Sequence, residues 1–247
     1  MIIDDLIECS LLKVQHEKIK DVRAGLGYTC VMLDNNDCGL AYSFRNALGE
    51  NCDALSIAGS LIGKSVDEVI PWLNDSNCLK SAIGLATINA VLNNTQEKRN
   101  IGNILSATTL APSDTIGLVG MVKPVFQALE SVTRNIYAFE ENVMKCGDIY
   151  HENCISIRLP ECNVVFIKAT CIMNHTLDKV LLYCKKAREV CIIGPSTPLC
   201  PEVFRRYGVS LLAGSIVKNS GLIVEVISQG GGIMSMEPAI SQCLLRV

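Results

Sequence analysis

The sequence predicts an α/β protein, a mainly parallel sheet preceded by a smaller α+β domain, on three observations. Between Thr115 and Ala213, short and nearly unbroken apolar runs alternate with amphipathic stretches, the pattern of a parallel sheet covered on both faces. Before that region, a hairpin signal stands among helical segments. The two patterns meet in a polar stretch from Asn93 to Asn103, and 247 residues favour two domains at about 150 residues each. We therefore divide the chain into residues 1–100 and 101–247.

Taken in order, Ile3 to Lys20 carries apolar residues at near-helical spacing, with acids early and lysines late, and is predicted to be a first helix. Val22 to Leu33 and Gly39 to Phe44 are rich in β-formers and flank Asp34-Asn35-Asn36-Asp37, residues that turn by bonding their own backbone, so they read as a hairpin. Ser65 with Glu68 three residues on has the form of a capping box, and Pro71 limits the helix that follows. Cys78 to Leu92 is a stronger helix, closed by Asn93-Asn94-Thr95. In the second part, strands are expected at Thr115 to Val122, Asn135 to Glu140, Val164 to Ala169, Glu189 to Gly194 and Val209 to Ala213. Helices are clearest at Pro124 to Thr133, Thr176 to Ala187 and Pro201 to Tyr207, and Gly230-Gly231-Gly232 forms a flexible turn.

Composition narrows the function classes. Hydrophobic residues make up 49% and charged residues 19%, the balance of a folded globular chain. A net charge of -3 with scattered Lys and Arg leaves no footprint for nucleic acid or anionic lipid. No apolar run reaches the roughly 18 residues of a membrane span, and the amino terminus lacks a basic region followed by an apolar core, so a cytoplasmic location is expected. The 13 cysteines stand singly, without C-x-x-C, and read mainly as small buried hydrophobes. A homo-oligomer stays open.

In an open parallel sheet, the loops after the strands converge where the strand order switches, and small ligands bind there. The first such loop, Gly117 to Pro124, carries Gly120 at a strand end but lacks the third glycine of G-x-G-x-x-G. Glu140 and Glu141 end the next strand, where an acid could meet a ribose hydroxyl. The loop from Lys168 to Thr176 offers Thr170 and Asn174 as hydrogen-bonding groups, and His175 beside them reads as a surface residue. Gly194-Pro195-Ser196-Thr197-Pro198-Leu199-Cys200-Pro201 is stiffened by three prolines and presents two hydroxyls ahead of a helix start. Ala213-Gly214-Ser215 is expected as a fifth loop on the same edge. No S-x-x-K, G-x-S-x-G, H-E-x-x-H or Walker A pattern occurs, so no residue is singled out as catalytic.

The run Gly194-Pro195-Ser196-Thr197-Pro198-Leu199, followed by Tyr207-Gly208-Val209 and Leu212-Ala213-Gly214-Ser215, closely resembles the family named for putative heavy-metal chelation. Gly39-Leu40-Ala41-Tyr42, Ala58-Gly59-Ser60-Leu61 and Ile83-Gly84-Leu85-Ala86-Thr87-Ile88-Asn89-Ala90 look like the motifs of that family's amino-terminal domain, which is similar to the amino-terminal domain of enolase. The resemblance implies an enolase-N-terminal-like α+β domain packed on a Rossmann-like domain, with a ligand cleft between them. It carries over Gly120, Thr170, Asn174, Gly194, Ser196, Thr197 and Gly214, with Tyr42 and Arg45 from the smaller domain. It departs at Met121-Val122-Lys123-Pro124, where a more aromatic, proline-rich turn is expected. The reading is a binding protein for a transition metal or small metal chelate. Ser196, Thr197 and the amides after Pro201 would hold an anionic group, with Arg45 as its bidentate partner. The alternative is an enzyme with S-adenosylmethionine or a dinucleotide across Gly117 to Gly120 and Glu140 on the ribose.

Overall fold

The computed structural model describes residues 1–47, 54–94, 102, 104–141 and 149–247. The amino-terminal part runs α1 (Ile2–Leu11), β1 (Ile19–Ala24), β2 (Tyr28–Leu33), β3 (Cys38–Tyr42), α2 (Val66–Val69) and α3 (Cys78–Leu92). Then follow α4 (Ile104–Ala107), β4 (Ile116–Val119), α5 (Lys123–Glu130), β5 (Ile136–Glu140), β6 (Ile149–His151), α6 (Ile155–Arg158), β7 (Val164–Lys168), α7 (Thr170–Met173) and α8 (Leu177–Leu182). The chain ends with β8 (Glu189–Ile193), α9 (Pro201–Phe204), β9 (Leu211–Val217), α10 (Ser220–Ser228), α11 (Ile233–Met236) and β10 (Ile240–Arg246).

Among the described residues, seven strands form the large sheet in the order β10-β9-β8-β7-β4-β5-β6. All neighbours pair in parallel except β9 and β10. Consecutive strands step outward from β4 in one direction through β5 and β6, then in the other through β7, β8 and β9. This is the order of a doubly wound sheet, with its switch point between β4 and β7. One face buries Ile116, Leu118, Ala138, Phe166 and Cys191 with Leu129 of α5, and the other buries Val165, Ile167, Val190 and Ile192 with residues of α7, α8 and α9. Continuous apolar strands follow from burial on both faces.

The small sheet, β1-β2-β3, is antiparallel. Its strands alternate between two coverings: Val31, Leu33 and Ala41 join the cluster that contains α3, while Cys30, Met32, Cys38 and Leu40 pack with Ile223 and Ile227 of α10. A helix from the end of the chain thus roofs the first sheet. On the opposite face α3 is buried from Ser81 through Leu92. Gly39 lets it come that close to the sheet, and Gly84 lets the turn at Trp72 and Leu73 close on its other side. A Cβ at Gly39 would lie 2.0 Å from the Ala86 carbonyl oxygen, and one at Gly84 would lie 2.2 Å from the Leu73 amide nitrogen.

Several expectations are corrected. The first helix ends at Leu11 instead of Lys20, because His16 takes a left-handed φ of 75° and Ile19 enters a strand. The hairpin is three-stranded: Val22 to Leu33 splits around Gly25-Leu26-Gly27 into β1 and β2. Ser65 precedes α2 without a side-chain cap, its carbonyl accepting from Glu68 N instead. Gly214 lies within β9, not in a loop. Strands β6 and β10 and helices α4, α6, α7, α10 and α11 lie outside the expectations, and Thr170, expected in a loop, opens α7. The turn residue Thr95 and most of the expected boundary stretch lie outside the described residues. Among those residues, no helix is long and apolar enough to cross a membrane.

The opposite, amino-terminal end of the large sheet is closed by ion pairs. Asp114, 5% exposed, accepts from both Arg188 terminal nitrogens at 2.7 and 2.6 Å and from Ala111 N at 2.7 Å. The Arg188 hydrogen bonds hold its carboxyl below the usual carboxylate range. A depressed carboxylate contributes stability above its unfolded value of about 3.9, lost as pH falls through the folded one. Acid unfolding of Asp114→Asn should accordingly show a shallower loss of stability below about pH 4 than the parent. Gly84→Ala should lower stability by about 2 kcal/mol or more in urea unfolding, whereas Gly27→Ala, with open space at its Cβ position, should be near neutral.

Candidate functional site

A cavity of about 640 Å³ opens at the carboxyl ends of β4, β5 and β7, beneath the chain that leaves β3. The sequence folds this way because each strand must end where its backbone turns. Gly120 turns the chain after β4 with φ +81°, a conformation that favours glycine, and an added Cβ would meet the Lys168 stem at 2.8 Å. Glu140, the last residue of β5, accepts a hydrogen bond from Met121 N and so closes the β4 turn. Lys168 ends β7, and its ammonium lies 4.9 Å from the centre of the Tyr42 ring, a cation–π contact between the two parts.

Of the residues singled out in the sequence, Tyr42, Arg45, Gly120, Glu140, Thr170 and Asn174 line this cavity. Glu141, read beside Glu140 in the sequence, lines it too, and Lys168, Glu152, Lys179 and Phe44 join them without having been singled out. Lys168 was legible, since it stands at the end of a recognised strand two residues before Thr170. Glu152 follows β6, a strand of three residues too short to announce itself. The wall carries three cations, three carboxylates and four aromatic rings, those of Tyr42, Phe44, Phe139 and Tyr183. Cys171 supplies a thiol, but burial pushes it up to about 11. His175 is exposed in a left-handed turn after α7 and does not line the cavity.

The loop after β8 does something else. Ser196 is 3% exposed and Thr197 0%. The Ser196 hydroxyl accepts from Tyr42 N at 2.9 Å, while the Thr197 hydroxyl is sealed in without a hydrogen-bond partner among the described residues. From α3, Asn89 Nδ2 donates to the carbonyls of Leu40 (2.7 Å) and Ser196 (3.1 Å). Asn93 Nδ2 donates to the carbonyls of Thr197 (3.0 Å) and Ser215 (3.3 Å), and Asn93 Oδ1 accepts from Leu199 N at 2.8 Å. Gly194 supports the loop's start with φ +116°, and Gly214 lets the loop cross β9, since a Cβ there would lie 2.8 Å from the Thr197 carbonyl oxygen. Gly194, Ser196, Thr197 and Gly214 therefore lie at the seam between the two parts and outside the cavity lining. Arg45 reaches the cavity from the far side of that seam.

These features define a two-part α/β protein that sets the end of a small antiparallel sheet over the switch point of a doubly wound one, with a charged cleft between. The chain belongs to the family described as putative heavy-metal chelation, whose DUF364 model matches residues 103–246. A second model with the same description, DUF4213, matches residues 7–92. An uncharacterised protein of Methanocaldococcus jannaschii is 27% identical over 226 residues, spanning 87% of this chain and 86% of that protein. The structure of a family member of unknown function from Pyrococcus horikoshii shares the fold with a TM-score of 0.87 at 24% identity, covering 100% of both chains. Another, from Desulfitobacterium hafniense, does so with a TM-score of 0.85 at 20% identity, covering 99% and 98%.

The seam generates a stability prediction. Asn93→Ala removes three hydrogen bonds and leaves Leu199 N and two carbonyls buried without it, so it should destabilise the protein by about 3 kcal/mol in denaturant unfolding. An effect below about 1 kcal/mol would show that the amide does not hold the two parts together.

Proposed function

We propose that the interdomain cleft binds a small anionic metal chelate, an organic molecule whose acidic groups already hold the metal. The observation that carries this reading is the convergence of Arg45, Lys168 and Lys179 on one cavity with the rings of Tyr42 and Phe44. Guanidinium and ammonium groups pair with ligand carboxylates, and Arg45 can do so through two parallel bonds. The aromatic edge offers a planar ligand a face, and the cavity's size is that of an ordinary small-molecule site. Glu140, Glu141 and Glu152 set a limit on net negative charge and favour a ligand with a cationic centre, such as a chelated metal.

The chemistry of the wall favours a chelate over a bare ion. A free soft cation needs several thiolate or imidazole donors around one point. The cavity offers one thiol, held protonated by burial, and among the described residues its carboxylates do not gather with it into a group of three ligand atoms. The family's description agrees with metal handling and does not specify the form in which the metal arrives. Thr170 and Asn174 would orient the ligand by hydrogen bonds. Gly194, Ser196, Thr197 and Gly214 would act indirectly, by fixing Tyr42 above the strand ends.

Thermal unfolding with a series of carboxylate chelates, each offered metal-loaded, metal-free and against the hydrated ion alone, tests the proposal. A loaded chelate at 100 times its dissociation constant should add about 2.7 kcal/mol of stability. Lys168→Met, which keeps the stem packed on Gly120, and Arg45→Ala should each weaken that binding about tenfold; the ligand-free Arg45→Ala protein should be as stable as the parent, and Lys168→Met lower by no more than about 1 kcal/mol for the lost contact with Tyr42. Equal affinity in both variants, or a response to the hydrated ions alone, would overturn it.

A further inference from the structure

Outside the cleft, α1 meets the segment that leads into α9. Cys9 Sγ lies 3.1 Å from Cys200 Sγ and 3.5 Å from Glu202 Oε1, and the three ligand atoms all lie within 4.8 Å of one another. Among the described residues this is the one place where three potential metal ligands gather. Lys13 donates to the same Glu202 oxygen. A hollow of about 310 Å³, lined by Asp5, Glu8, Cys9, Lys13, Glu202 and Arg206 among others, opens onto it, while Cys200 closes the inner side at 0% exposure.

We propose that Cys9, Cys200 and Glu202 form a binding site for a soft divalent cation of the zinc or cadmium kind, with water at the fourth position. The site shares no residue with the cleft and does not depend on what the cleft binds. Two sulfurs and one carboxylate oxygen form a donor set that selects such ions over magnesium or calcium. Sulfurs at about 2.3 Å from a tetrahedral ion sit about 3.8 Å apart, so the two thiols need to separate by less than about 1 Å to admit it. Each coordinated thiol gives up its proton to solvent, so the ion enters as two protons leave. Two thiolates and a carboxylate carry three negative charges. The cation offsets two, and Lys13, already paired with Glu202, offsets the third.

The position gives the ion a structural consequence. Cys9 belongs to the amino-terminal part, and Cys200 and Glu202 belong to the part built on the large sheet, so an ion held between them ties the two together. Nearby contacts already do so weakly: Ile2 N donates to Asp178 at 3.2 Å, and the Tyr207 hydroxyl donates to Asp5 at 3.1 Å. Joining the same sulfurs as a disulfide would need closure to about 2.05 Å and an external oxidant.

Reduced, metal-free, full-length protein titrated with cadmium tests the site through the ultraviolet thiolate-to-cadmium charge-transfer band, proton release and melting temperature. One equivalent should bind in the tightest phase, release two protons and raise the melting temperature. Cys9→Ser should abolish that phase, and Glu202→Gln should keep the band but weaken affinity by more than the roughly tenfold typical of losing an outer-shell partner. Cys78→Ser and Lys168→Met should leave the titration unchanged, the latter separating this site from the cleft. Cys9 and Glu202 are only partly buried or exposed, so their variants should fold, which circular dichroism checks. Undiminished binding in Cys9→Ser would overturn the proposal. So would failure of the reduced protein to take up cadmium while an oxidised sample shows a Cys9–Cys200 cross-link and a mass lower by two hydrogens.

Discussion

The amide side chains of Asn89 and Asn93, at the end of α3, tie the molecule's two parts together at the seam beside the cleft. Asn89 and Asn93 are almost fully buried, and between them they satisfy four carbonyls and one amide drawn from β3, the loop after β8 and β9. A buried amide is costly unless it is hydrogen-bonded, and here both Nδ2 groups and Asn93 Oδ1 find partners across the seam, while Asn89 Oδ1 has none among the described residues. That arrangement carries Tyr42 to the end of β7, where the Lys168 ammonium meets its ring. A tilt of a few degrees between the parts would part that contact and change the spacing between Arg45 and the strand ends.

Much of the large sheet was legible because its strands are buried on both faces and therefore apolar throughout. The loops after β4, β5 and β7 followed from the rule that ligands collect at a switch in strand order, and they do line one cavity. Reading the loop after β8 in the same way reached a different place. Its polar groups and prolines look the same whether they meet a ligand or, as the backbone of Ser196, Thr197 and Leu199 does, the amides of a helix some 100 residues earlier, and nothing local distinguishes a partner inside the chain from one outside it. Gly214 misled for a related reason: a glycine at a close backbone crossing within a strand resembles a glycine in a turn. The short strand β6 and the four-residue helix α11 were missed because their lengths give periodicity little to act on.

The cysteines divide in the same manner. Most of those described are buried among apolar side chains, Cys30 and Cys38 beside each other on β2 and β3, and all of them are free thiols. Cys9 and Cys200 depart from that reading although neither belongs to a recognisable spacing, because a ligand pair formed by two distant segments leaves no mark on either one. The molecule thus keeps charged oxygen and nitrogen groups at the strand ends and its converging sulfurs at the joint between the parts, a separation of hard from soft chemistry that only the folded chain reveals.

Helix α10, which covers the outer face of β1-β2-β3, imposes an order on synthesis. When the first 92 residues have left the ribosome, Cys30, Met32, Cys38 and Leu40 still lack the Ile223 and Ile227 that will shield them, and more than 120 residues remain to be made. The small sheet must therefore wait, incomplete and sticky, until the carboxyl-terminal quarter emerges. A protein divided into two separately expressed halves would place that exposed face in competition with aggregation, so any attempt at dissecting this fold is better made by circular permutation, which keeps the roof and the floor on one chain.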